Sequence, residues 1–133
     1  MIKIAFVAAV LLLSTAPNGS AHHSFASEYD GKKLIVVSGT VSAFEWTNPH
    51  AWLYVEGKDA LGTPGRWRFE MGAPGGLLRR GWKQDDLKAG DYVTVDGYPA
   101  KDAINVANAR TVTLQDGRKL FGGFESTPGN PFK

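Results

Sequence analysis

The 133-residue sequence predicts an all-β chain with one short helix, folded as a small OB-like five-stranded barrel, with an antiparallel β-sandwich as the alternative. Three observations predict it. Apolar and polar residues alternate with a period of two in successive segments, the spacing of side chains on a half-buried strand. That alternation breaks once, at GAPGGLLRRGW, between the third and fourth segments. The first segment is long and carries Gly39 near its centre, where a strand can bend to serve two sides of a barrel.

Residues 1–21 have the three parts of a secretory leader: Lys3 as the positive start, an apolar run from Ile4 to Leu13, and a small-residue tail Gly19-Ser20-Ala21. The apolar run is about half of the ~20 residues that span a bilayer, so it reads as a leader and not an anchor. Cleavage after Ala21 is preferred over the Ser14-Thr15-Ala16 site, because Pro17 behind the latter obstructs a protease. His22 then becomes the mature N-terminus, and the product is expected in the periplasm or secreted. No later segment has the length of a membrane span.

Residues 22–32 form a polar N-terminal arm, and 33–120 the barrel domain. In the first strand, between Lys33 and Trp46, Val37, Gly39, Val41 and Ala43 alternate with Ser38, Thr40 and Ser42. Thr47-Asn48-Pro49 punctuates it. HAWLYV resumes a strand, with Ala51, Leu53 and Val55 on one face and His50, Trp52, Tyr54 and Glu56 on the other. In RWRFEM, Trp67, Phe69 and Met71 alternate with Arg66, Arg68 and Glu70. Pro74 opens and Gly81 closes the short helix, with Leu77, Leu78 and Trp82 as its apolar contact. A turn at residues 86–91 leads into a strand from Tyr92 to Tyr98, with Val93, Val95 and Gly97 inward. A hairpin at Lys101-Asp102 precedes the last strand, Val106 to Leu114. Trp67, Phe69, Val93 and Val95 are expected to share one core. Residues 121–133, rich in Gly and Pro, read as a loosely held tail.

Four segments, AHHSF (Ala21 to Phe25), EWTNPHAW (Glu45 to Trp52), LLRRGW (Leu77 to Trp82) and ARTVTLQDGRKLF (Ala109 to Phe121), give the chain its resemblance to a family of small exported bacterial proteins known only as a domain of unknown function. The resemblance spans essentially the whole mature chain. It implies export and a compact β domain, and it carries no activity.

Composition narrows the function classes. Removing the first 21 residues leaves 112, one modest domain, with 14 basic and 13 acidic residues. A net charge near +1 gives no polycationic surface for bulk nucleic-acid binding or membrane adhesion. With no cysteine in the sequence, thiol catalysis, thiolate metal sites and lipoprotein attachment are excluded. No G-x-S-x-G, H-E-x-x-H or P-loop is present, and Asp85-Asp86 lies at a turn where capping accounts for it, so no enzyme is expected.

Two candidate sites follow. His22 at a free N-terminus offers its amine and ring Nδ1, which together close a six-membered chelate; a third nitrogen from His50 completes a T-shaped site suited to Cu(II), with His23 as an auxiliary. The simple N-terminal copper motif is ruled out, because it needs histidine at mature position three, which is Ser24. The plainer alternative is a polar terminus plus a structural hydrogen bond from His50. The second site is the face bearing Trp52, Tyr54, Arg66 and Arg68, where OB-folds take ligands by stacking and cation–π contact; it suits a small anionic ligand, a glycan or a protein partner. Its plainer alternative is a sheet stabilised by cross-strand pairs. A Glu45–Glu70 pair facing across strands is the only acid–base arrangement offered, and carboxylates on a sheet are more often separately solvated or paired, here to Arg66 and Arg68.

Overall fold

The computed structural model describes residues 25–123. The expectations about the leader, His22, His23 and the chain beyond 123 lie outside the described residues. The elements run α1 (Phe25–Glu28), β1 (Ile35–Glu45), β2 (Trp52–Asp59), β3 (Pro64–Glu70), α2 (Pro74–Arg79), β4 (Tyr92–Pro99), β5 (Val106–Thr113) and β6 (Lys119–Phe121).

β1 is the organising strand. It pairs antiparallel with β2 along one edge and with β4 along the other. β2 continues into β3, β4 into β5, and a parallel pairing of Arg68–Glu70 with Val106–Asn108 joins β3 to β5 and closes a five-stranded barrel. β6 is an extra strand on the β5 edge, using Thr111–Thr113 where β3 no longer pairs. The helix α2 sits between β3 and β4 in the chain order, as in the OB-like barrel predicted.

Alternation gives the inward phase of β2, β3, β4 and the first part of β1. Val37 and Val41, Ala51, Leu53 and Val55, Phe69 and Met71, and Val93 and Val95 are all buried in one cluster with Leu77 and Trp82. Burying such a set is the main favourable term in folding. Pro74 occupies the first helical turn of α2 and Gly81 ends it at φ +95°, a conformation that favours glycine. Among the described residues no helix is long and apolar enough to cross a membrane.

Several local expectations are corrected. A bulge between Val41 and Ala43 leaves Ser42 as the additional residue, so the phase reverses: Ala43 pairs with Tyr54, and Phe44 pairs with Leu53 and packs on the core. Trp67 is half-buried against the core while Phe69 is fully inside it. Leu78 is 55% exposed, because one turn of helix cannot turn Leu77 and Leu78 to the same side. The boundary placed between 120 and 121 falls inside β6, where Phe121, Gly122 and Gly123 are buried. Gly72 N–H donates to Gly122 O at 2.9 Å and Trp82 Nε1–H donates to Phe121 O at 3.0 Å, which tie this segment to the barrel.

From Phe25 onward the arm packs on the barrel, which its polar composition does not suggest. Phe25 meets Tyr29 and Tyr98 with ring centroids 5.5 Å apart in each case, and Tyr29 is 4% exposed. Asp30 N–H donates to Pro99 O and Lys101 N–H to Glu28 O, both at 2.9 Å, fastening the arm to the β4–β5 connection.

Candidate functional site

The alternation of β2 turns His50, Trp52 and Tyr54 away from the core, and that of β3 turns Arg66, Arg68 and Glu70 to the same side. Register then decides neighbours. Trp52 lies opposite Glu70, Tyr54 opposite Arg68 and Glu56 opposite Arg66. Glu45 also lies opposite Trp52, on β1. Glu45 and Glu70 therefore flank Trp52 from opposite sides and do not face each other, in keeping with the reading against a carboxylate pair.

Each of these side chains has a distinct partner. The Arg68 guanidinium lies over the Trp52 ring, 5.4 Å from its centroid. Tyr54 O–H donates to Glu45 Oε2 at 3.2 Å; partial burial, followed by the Glu45 charge and this hydrogen bond, raises the Tyr54 pKa. Arg66 Nε lies 3.1 Å from Glu56 Oε1, with the arginine side chain 88% exposed. Of the four residues predicted for a binding face, Trp52, Tyr54 and Arg68 are thus brought together, while Arg66 turns to a solvated pair with Glu56. An open groove of about 470 Å³ runs beside them, lined by Tyr54, Arg66, Trp67, Arg68, Ile104 and Asn105.

Glu70 departs from the expected pairing with arginine. It is 8% exposed, a rare state for a carboxylate, and it is satisfied by two groups from other parts of the chain. Its Oε1 lies 2.6 Å from His50 Nδ1, and its Oε2 accepts a hydrogen bond from Tyr29 O–H. His50 is at the end of the β1–β2 connection, immediately before Ala51, whose N–H and O bond to Gly72 O and Met71 N–H at 3.0 and 2.9 Å. The histidine is therefore anchored by its neighbour's backbone as well as by Glu70. Burial, then the hydrogen bond to Glu70 and the Glu70 charge, push the Tyr29 hydroxyl well above the usual phenol range, so it remains a neutral donor.

Of the histidine candidates only His50 is described, and Glu70 links it to the second face: it contacts His50 and lies opposite Trp52, which carries Arg68 over its ring. Sequence reasoning missed Tyr29 and the pairing of Glu70 with His50. The signal available was a glutamate in the outward phase at the very end of a strand, and two aromatic residues, Phe25 and Tyr29, in a largely polar arm. Among the described residues no group of three or more histidine, aspartate or glutamate side chains could hold a metal ion. His22 and His23, the other candidate metal ligands, lie outside the described residues.

The Asp86 side chain behaves as its turn position predicts, accepting from Lys83 N–H at 2.7 Å and pairing with Arg118 at 3.1 Å.

A family model described as a family of unknown function, DUF6152, matches residues 9–108. The match includes AHHSF, EWTNPHAW and LLRRGW and ends just before ARTVTLQDGRKLF. No curated protein and no solved structure matches the chain.

Proposed function

Because the chain belongs to the DUF6152 family, whose membership brings no activity with it, we propose from the site itself that the protein is an exported, non-enzymatic binding domain that takes one Cu(II) through His22 and His50, with His23 as an auxiliary. The observation that carries this reading is the contact of His50 Nδ1 with the buried Glu70 carboxylate at 2.6 Å. Metal-ligating histidines characteristically give their second ring nitrogen to a carboxylate, which orients the ring and strengthens the donor. Copper stands at the top of the divalent affinity order and favours imidazole and amine nitrogen. The arm sets the reach: α1 and Tyr29 are held against the barrel, and the three residues from Phe25 back to His22 span roughly 10 Å when extended.

Titration of correctly processed protein with Cu(II), read by calorimetry and paramagnetic resonance, tests it. One equivalent with nitrogen-dominated coordination is expected. Unchanged affinity after both an added N-terminal residue and His50→Ala overturns it.

A second reading rests on a separate observation, the Arg68–Trp52 stack beside the 470 Å³ groove. That combination suits a small anionic ligand or a glycan, bound by stacking and by guanidinium contact. Loss of such a ligand in Trp52→Ala and Arg68→Ala, with copper binding retained, separates the two.

A further inference from the structure

Glu70 satisfies two donors that come from opposite ends of the site. It ends β3 in the outward phase, where a glutamate would ordinarily extend into water, yet it is 8% exposed because the arm lies over it. A carboxylate oxygen only accepts hydrogen bonds, so the contact at 2.6 Å puts the proton on His50 Nδ1. In the neutral ring the lone pair for coordination then belongs to Nε2. The carboxylate itself is held from the far side by Tyr29 O–H, and Tyr29 is fixed in turn by its bridge to Ala100 and by the hydrogen bonds of Asp30 and Glu28 to the β4–β5 connection.

We propose that Tyr29 and Glu70 are positioning residues for His50, forming a relay through which docking of the segment 25–30 on the barrel selects Nε2 as the nitrogen that binds metal. Tyr29 clamps one oxygen of Glu70, so the other stays aimed at Nδ1. The aromatic contacts of Phe25 with Tyr29 and Tyr98 lock the arm that supplies this clamp. An undocked arm removes the clamp, frees the carboxylate to rotate and leaves the ring to exchange between its tautomers. The arm thus has a second role beyond carrying its own nitrogens: it makes His50 a better donor before any metal arrives. The choice of Cu(II) as the bound ion rests on the proposed function above, whereas the tautomer and its dependence on Glu70 and Tyr29 do not.

The test uses the processed full-length protein labelled with ¹⁵N-histidine. Without metal, the wild type should show His50 protonated at Nδ1 with a pyridine-type Nε2. Glu70→Gln and Tyr29→Phe should each shift His50 toward tautomer exchange, Tyr29→Phe less, while amide spectra report an intact barrel. In Cu(II) titrations, affinity should fall ~10–100-fold in Glu70→Gln and by a smaller factor in Tyr29→Phe. A wild-type ring protonated at Nε2 overturns the relay without any variant. So does copper binding in which both variants keep the wild-type tautomer and affinity, and that outcome leaves the copper reading standing. The expected tautomer with no copper bound has the opposite meaning: the relay holds and the copper reading fails.

Discussion

Gly39 and Gly57 lie directly opposite each other on β1 and β2, so close that a Cβ on Gly39 would overlap the Glu56 carbonyl oxygen and one on Gly57 the Ser38 carbonyl oxygen. Two strands approach here as only glycine permits, and β1 is thereby able to bend between its pairings with β2 and β4.

The first prediction follows from that approach. Gly39→Ala should destabilise the domain by about 1–3 kcal/mol or more, since the obstacle is backbone and has no rotamer to escape into. Urea denaturation measures it. A midpoint indistinguishable from wild type would show that the strands can separate at no cost.

Core substitutions should rank by burial. Phe69→Ala and Trp82→Ala, at 0% and 1% exposure, should each cost roughly 3–5 kcal/mol, and Trp82→Ala also removes the indole donor to the Phe121 carbonyl. Trp67→Ala should cost less, because Trp67 is half-buried. Equal losses at Trp67 and Phe69 would place Trp67 inside the core.

Alkaline stability should depend on Tyr29. Its hydroxyl keeps its proton in the folded protein at a pH where the unfolded chain has released it, because burial and Glu70 oppose the phenolate. The unfolded state then binds fewer protons, so this contribution is fully present below pH ~10 and is lost as pH rises further. Tyr29→Phe should lower stability at neutral pH by about 1–3 kcal/mol, having left Glu70 without one donor, and should flatten the decline above pH ~10. Denaturation midpoints across that range decide it, and identical slopes in the two proteins count against the assignment.

The copper reading makes a prediction about processing. Intact mass of exported protein should correspond to a chain starting at His22, and one extra residue at that end should weaken Cu(II) binding sharply by abolishing the amine–imidazole chelate. A mature chain beginning at Pro17, or retaining Met1, removes the chelate and with it the proposal for His22.

How much could be read beforehand differs from residue to residue. Leu53, Val55, Phe69, Val93 and Val95 were placed inside correctly because the face of a strand residue depends on parity alone, a local property. Alternation puts Ala43 on the face of Val41, and the structure does not, because a bulge inserts one residue and reverses parity, and Ser42 differs in no obvious way from the serine and threonine before it. The tail was misread at Phe121 since three residues between Gly- and Asp-containing turns form a strand only when a vacant edge of β5 is there to receive them.

The site shows the same division. Alternation by itself determined that Trp52, Tyr54, Arg68 and Glu70 share the outer face of the barrel, because each lies in the polar phase of its strand, and His50, just before β2, continues the same phase. Tertiary structure alone decided that Glu70 is buried there, that it holds His50, and that Tyr29, 41 residues earlier in the chain, closes over it. The physical reason is that parity specifies which way a side chain points, whereas burial depends on what the rest of the chain lays across that face. For Glu70 the covering segment is the arm, whose docking is set by pairings with the β4–β5 connection that no local pattern encodes.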